Sequence, residues 1–146
     1  MYSWKPGARV RTDANTVGAI CEQMAKDGRL TAANLVDDSR PEDAPLHNEF
    51  TWDDSLAAES WRRQEAMQII NGIEIRIENS APVQAFVKLT RAETDYRPTS
   101  ILIRQADTRE QLIENALREL KGIQRKYSAL KELADVFTAI EAVKIA

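Results

Sequence analysis

The sequence predicts an α+β fold: an N-terminal three-helix, winged-helix-like half, a small three-stranded antiparallel sheet, and a long C-terminal helix or helical hairpin. Three observations predict it. Apolar residues recur at helical spacing up to residue 73, alternate with period two from 73 to 89, and return to spacings of three and four from 117 to 137. Consecutive strands with short links favour an antiparallel meander.

Residues 2–12 read as an extended basic arm carrying Lys5, Arg9 and Arg11, which Trp4 and Val10 pin to the body. The first helix covers 13–27, with Asp13 as N-cap, Val17, Ile20, Cys21 and Met24 on its apolar face, and Gly28 ending it. Thr31 caps a second helix near 32–39, with Leu35 and Val36 facing inward. Pro41 and Pro45 bound an irregular stretch, after which 44–50 holds one helical turn that Leu46 and Phe50 plug into the core. A capping box, Thr51 to Asp54, opens the third helix, whose Ala66, Ile69, Ile70 and Ile73 share a face. Trp61 belongs with the core in this reading, and Arg62 and Arg63 lie off that face toward solvent.

Strands follow at Ile73–Ile77, Val83–Leu89 and Ile101–Ile103. A second capping box, Thr108 to Gln111, starts the last helix. Unbroken to residue 143, that helix would be ~50 Å long, more than one small sheet can cover. It therefore either breaks, near Gly122 or Tyr127-Ser128, or packs on a partner. Its stripe of Leu117, Leu120, Tyr127, Leu130, Ala134 and Phe137 is the expected oligomer seam of a possible homodimer.

The chain has 146 residues, 43% of them hydrophobic, enough for a core without metal or disulfides. The expectation is one domain, 1–146, made of arm 1–12, helical part 13–73, sheet 73–104 and C-terminal helix 108–143. One Cys makes no internal disulfide, and Cys21 reads as a buried small hydrophobe. No signal peptide and no apolar run of ~20 residues is seen, so a cytoplasmic protein with no membrane contact is expected.

Little points to catalysis. The single His, His47, is too few for a triad or a zinc site. Neither a phosphate-cradling glycine motif nor a nucleophile elbow occurs. The paired acids Asp37-Asp38, Glu42-Asp43 and Asp53-Asp54 belong to a helix end, a loop and a cap. No enzyme, metal or cofactor is expected.

Binding fits better. Twenty basic and 23 acidic residues give a net charge of −3, but 76–126 alone holds ten basic against seven acidic residues. Three helices followed by a hairpin is the order of a winged helix-turn-helix. DNA is then the expected partner, with Arg62 and Arg63 on the recognition helix beside Gln64 and Gln68, and Arg76, Lys88 and Arg91 contacting phosphates. The connection at 40–50 is longer than the three or four residues usual between the two DNA-binding helices.

One stretch carries a resemblance. Leu30-Thr31, Pro45-Leu46-His47, Phe50, Trp52-Asp53-Asp54, Ala57-Ala58 and Trp61-Arg62 resemble the shared core of a family of small proteins encoded by tailed phages and prophages, and 125–137 is similar to that family's tail. The resemblance covers about two thirds of the chain. It implies a bacterial host cell and a helix-turn-helix-like or accessory DNA-metabolism role, and it carries over no catalytic residues. The expected function is thus a non-enzymatic, phage-derived DNA-binding or DNA-metabolism accessory protein. The alternative is a protein-interaction module that binds a host or phage protein through the acidic N-terminal half or the C-terminal helix.

Overall fold

The computed structural model describes residues 1–53 and 58–144. The fold is mixed α+β with two small antiparallel sheets. Where the sequence reads as one domain, the chain divides into two compact units, Met1–Ile101 and Leu102–Ala146.

The first unit opens with β1 (Tyr2–Trp4), so the basic arm is a strand at its start. Helix α1 (Ala14–Lys26) follows, with the Asp13 carboxylate accepting from the Thr16 N–H as its N-cap. Gly28 takes φ +67, the left-handed conformation that stops the helix without Cβ strain. Helix α2 (Ala32–Asp38) is capped in the same way by Thr31, whose hydroxyl accepts from the Asn34 N–H. The expected single turn is a 3-10 turn at His47–Glu49, and buried Leu46 and Phe50 anchor it on both sides.

Helix α3 runs Ala58–Gly72 and passes directly into β2 (Ile73–Ile75). Its buried residues are Ala58, Arg62, Ala66, Ile69 and Ile70. Asp54 and Ala57 lie outside the described residues, and with them the acidic partner of the expected capping box. Thr51 is bonded to α3 further along, where its N–H and hydroxyl both donate to the Glu65 carboxylate.

The sheet differs from the expected meander in two places. The run 83–89 is split into β3 (Val83–Gln84) and β4 (Phe86–Val87), which belong to different sheets. Buried Ala85 makes the switch, its N–H donating to the Ile73 carbonyl and its carbonyl accepting from the Thr99 N–H. Residues 101–103 form no strand. Thr99–Leu102 is a short helix, α4, preceded by β5 (Arg97–Pro98), which pairs with β4. The third strand of the main sheet is instead the N-terminal β1, in the order β1-β2-β3, with Tyr2 opposite Ile75 and Trp4 opposite Ile73. Strand β1 supplies alternating apolar residues to an edge that β2 would otherwise expose.

The arm is fixed by side chains as well. Trp4 Nε1 donates to the Thr12 carbonyl, and the Lys5 N–H donates to the Gly72 carbonyl. The Tyr2 ring lies flat over Gly18 of α1 and stacks on buried Phe86, centroids 6.0 Å apart. Behind them the core gathers Val17, Cys21, Met24, Leu30, Leu35, Val36, Ala66, Ile69, Ile70 and Ile73. Burial pushes the Cys21 thiol up to about 12, which makes it a packing group and not a nucleophile.

The second unit consists of α5 (Ala106–Tyr127), a 3-10 turn at Lys131–Leu133, and α6 (Ala134–Ala142). The break comes at the second of the two expected places, where Leu130 takes extended backbone after Tyr127-Ser128. The expected cap at Thr108 is not one. Helix α5 begins two residues earlier, and the Thr108 hydroxyl donates to the Leu102 carbonyl. Helix α6 folds back on α5, where Gln124 Nε2 donates to Glu141 and Ile140 is buried.

Gly18 is the tightest point of the first unit, because a Cβ there would overlap the Tyr2 ring. Although Ala is the better helix former, Gly18→Ala is expected to lower stability by about 1–3 kcal/mol, the usual cost of overpacking. Urea unfolding checks this. Unchanged or higher stability would show that the arm is not docked on α1.

Candidate functional site

His47, Phe50, Trp52 and Arg62 meet at one place. The His47 and Trp52 rings stack 5.0 Å apart at an interplanar angle of 9°, and Phe50 leans on Trp52 at 5.7 Å. Trp52 Nε1 donates to the His47 carbonyl at 2.7 Å. His47 Nδ1 stands 3.0 Å from the Ser39 carbonyl, which fixes it as the protonated, donating nitrogen. The other face of the cluster is cationic. The Arg62 guanidinium lies 5.2 Å and that of Arg40 5.8 Å from the Trp52 ring centroid.

Arg62 is the centre of this cluster and is only 8% exposed. Its guanidinium donates to the Thr51 and Asp53 carbonyls and, through two nitrogens, to Glu59. Glu59 also receives Arg40 at 2.6 Å. The hydrogen bonds from Arg40 and Arg62 hold the Glu59 carboxyl below the usual carboxylate range. Arg62 therefore bonds to its own chain and does not lie off the buried face toward solvent, which corrects the sequence expectation for its exposure.

The exchange of Arg62 and Trp61 has a simple cause. One helical turn before buried Ala66 on α3 is position 62, and position 61 falls outside that face. The apolar character of Trp61 suggested core, but the helix phase leaves it 51% exposed, its Nε1 donating to Glu65. Trp61 lines a groove of about 640 Å³ between the arm and α3, together with Lys5, Arg9, Glu49, Glu65 and Gln68. Both acids in it are engaged: Glu49 accepts from the Thr12 N–H and hydroxyl, and Glu65 from Thr51 and Trp61.

The remaining expected DNA contacts are all exposed: Arg63 on α3, Arg76 after β2, and Lys88 and Arg91 in the connection between β4 and β5. Arg76 reaches back to the Ser80 carbonyl, and the Lys88 ammonium sits 4.9 Å from the Tyr96 ring centroid. Among the described residues, no group of three or more His, Cys, Asp or Glu side chains is placed to hold a metal ion. No helix of the described chain is long and apolar enough to cross a membrane.

The C-terminal unit presents a different surface. Helix α5 has 22 residues, a clear apolar stripe, and no buried residue. Of the expected seam, Leu117 and Phe137 are half-buried, whereas Leu120, Tyr127 and Leu130 are exposed at 38%, 42% and 47%. Ile123, at 49%, completes the row and was not among the expected seam residues. Its signal was present in the spacing, since the step from Leu120 to Tyr127 is a heptad that needs an apolar residue three positions on.

Comparison with protein-family models, with curated proteins and with solved structures finds no match for the chain.

Two adjacent arginines are expected to behave oppositely. Arg62→Ala removes hydrogen bonds from a charged donor that is itself buried, and it should cost about 1.5–3 kcal/mol of stability. Arg63→Ala, on an exposed position, should stay within about 0.5 kcal/mol of the parent. Chemical denaturation of both variants checks this, and similar losses for the two would refute the placement of Arg62.

Proposed function

We propose that the chain is a non-enzymatic protein-interaction module, which engages a protein partner through the apolar stripe of its C-terminal unit. The observation that carries this reading is α5: an amphipathic helix of 22 residues with nothing buried. Helices in proteins owe most of their stability to packing of an apolar face. Here Leu120, Ile123 and Tyr127 leave that packing incomplete, and Leu130, just past the helix end, is exposed as well. A contiguous exposed apolar row of this kind is the mark of an association surface. The resemblance of residues 28–73 supports a tailed-phage or prophage setting and a bacterial cytoplasm for the interaction.

A second reading, DNA binding, is favoured by the surface positions of Arg63, Arg76, Lys88 and Arg91 and by the order of α1, α2 and α3 followed by the β2–β3 hairpin. That order is the basis for a winged-helix-like assignment of the first unit. It ranks second because its central residue, Arg62, is spent inside the fold. Among the described residues, that leaves Arg63 as the one arginine on the exposed face of α3.

Site-specific photo-cross-linking in the producing cell separates the two. A photoreactive residue at position 123 is expected to give a protein adduct, and one at position 63 no nucleic-acid adduct. Absence of a protein adduct at 123 overturns the interaction reading. A nucleic-acid adduct at 63 in that case puts DNA binding in its place.

A further inference from the structure

We infer that the partner of the α5 stripe is a second copy of the same chain, packed antiparallel; this rests on the interaction reading above. Toward the C-terminal end of α5 the exposed apolar residues fall at Ala116, Leu120, Ile123 and Tyr127, at successive steps of four, three and four. Within the helix that is the seam of a short coiled coil, with Ala116 and Ile123 in one core position and Leu120 and Tyr127 in the other. The residues flanking the seam are Glu119 and Lys126 on one side and Leu117 and Gln124 on the other. Helix α6 already covers the second side, through the bond from Gln124 to Glu141. The side with Glu119 and Lys126 is open, and both residues are exposed.

The sequence of the seam selects the orientation. With two antiparallel copies centred between Leu120 and Ile123, Leu120 of one copy meets Ile123 of the other. Small Ala116 then meets large Tyr127, and Glu119 meets Lys126. Symmetry makes each pair twice. Large faces small in the core, and opposite charges meet at the rim. In a parallel, in-register pair, Tyr127 would face Tyr127, Ala116 would face Ala116, and Glu119 and Lys126 would not meet. The seam is therefore self-complementary in one direction only, which is the condition for a two-fold symmetric interface. The exposed apolar row is short, confined to residues 116–127 of α5. The dimer is accordingly a weak one that forms with rising concentration.

Sedimentation velocity on the full chain, from about 5 to 500 μM, tests the inference. The parent chain should pass from monomer toward dimer over this range. Glu119→Lys puts two lysines against each other at both ends and should weaken dimerisation at least tenfold. Lys126→Glu should do the same with two acids. Mixed in equal amounts, the two variants should form a heterodimer, because every charged pair is again opposite. Both positions are exposed, so neither variant should lose its fold, and circular dichroism confirms that. A parent chain that stays monomeric throughout, or a dimer indifferent to both variants, overturns the inference. So does a failure of the mixed variants to pair. If the chain is monomeric while position 123 cross-links to a different protein, the second-copy assignment falls and the interaction reading stands. If position 123 gives no protein adduct either, both fall.

Discussion

The first unit depends on one buried cation. Arg62 enters the core face of α3, where an uncompensated charge would be costly, and is accepted because every side of it is engaged. Carbonyls of Thr51 and Asp53 lie in front, Glu59 lies one turn back, and the Trp52 ring covers it. Thr51, Trp52 and Asp53 come from the irregular stretch after α2, and Glu59 from α3 itself. Arg62 thus ties that segment to α3, and His47 extends the tie to Ser39 at the end of α2. With the segment fixed, Leu46 and Phe50 are held in the core and α2 is set against α3.

This gives a physical meaning to the motif at 45–62. His, Phe, Trp and Arg in that order look like chemistry when read as a string. In space they form a stacked and hydrogen-bonded joint, in which the imidazole, the indole and the guanidinium each satisfy a neighbour. The joint lies in unit 1–101, and the exposed apolar row of α5 lies in unit 102–146.

Helices were legible in the sequence where local chemistry fixes them. Asp13 and Thr31 cap because a short side-chain oxygen at those positions reaches a free N–H two or three residues on, and Gly28 stops α1 because it accepts a positive φ. Strand partners were less legible, since period two reports a half-buried strand but not its neighbour. Ile101-Leu102-Ile103 has β-forming side chains yet helical backbone at 101–102; Phe86–Val87 pairs with Arg97–Pro98 instead, and the third strand of the main sheet is Tyr2–Trp4, on the opposite edge beside Ile73–Ile75. Among the site residues, Arg63, Arg76, Lys88 and Arg91 reach the surface as expected. Arg62 does not, because no local rule says that an arginine will find enough carbonyl and carboxylate oxygens to be buried. The seam was legible as a stripe, but the fold-back of α6, which half-buries Leu117 and Phe137 and leaves Ile123 open, is a tertiary fact.

If Arg62 is held as described, its contact with Trp52 is an energetic coupling and not a mere proximity. A double-mutant cycle with Trp52→Leu, Arg62→Met and the pair, read by urea unfolding, measures it directly. Residues that share one network should couple by about 0.5–3 kcal/mol, so the pair should cost clearly less than the two single losses added together. Losses that add within about 0.3–0.5 kcal/mol would mean that the two side chains act independently, and would contradict a joint built on Arg62.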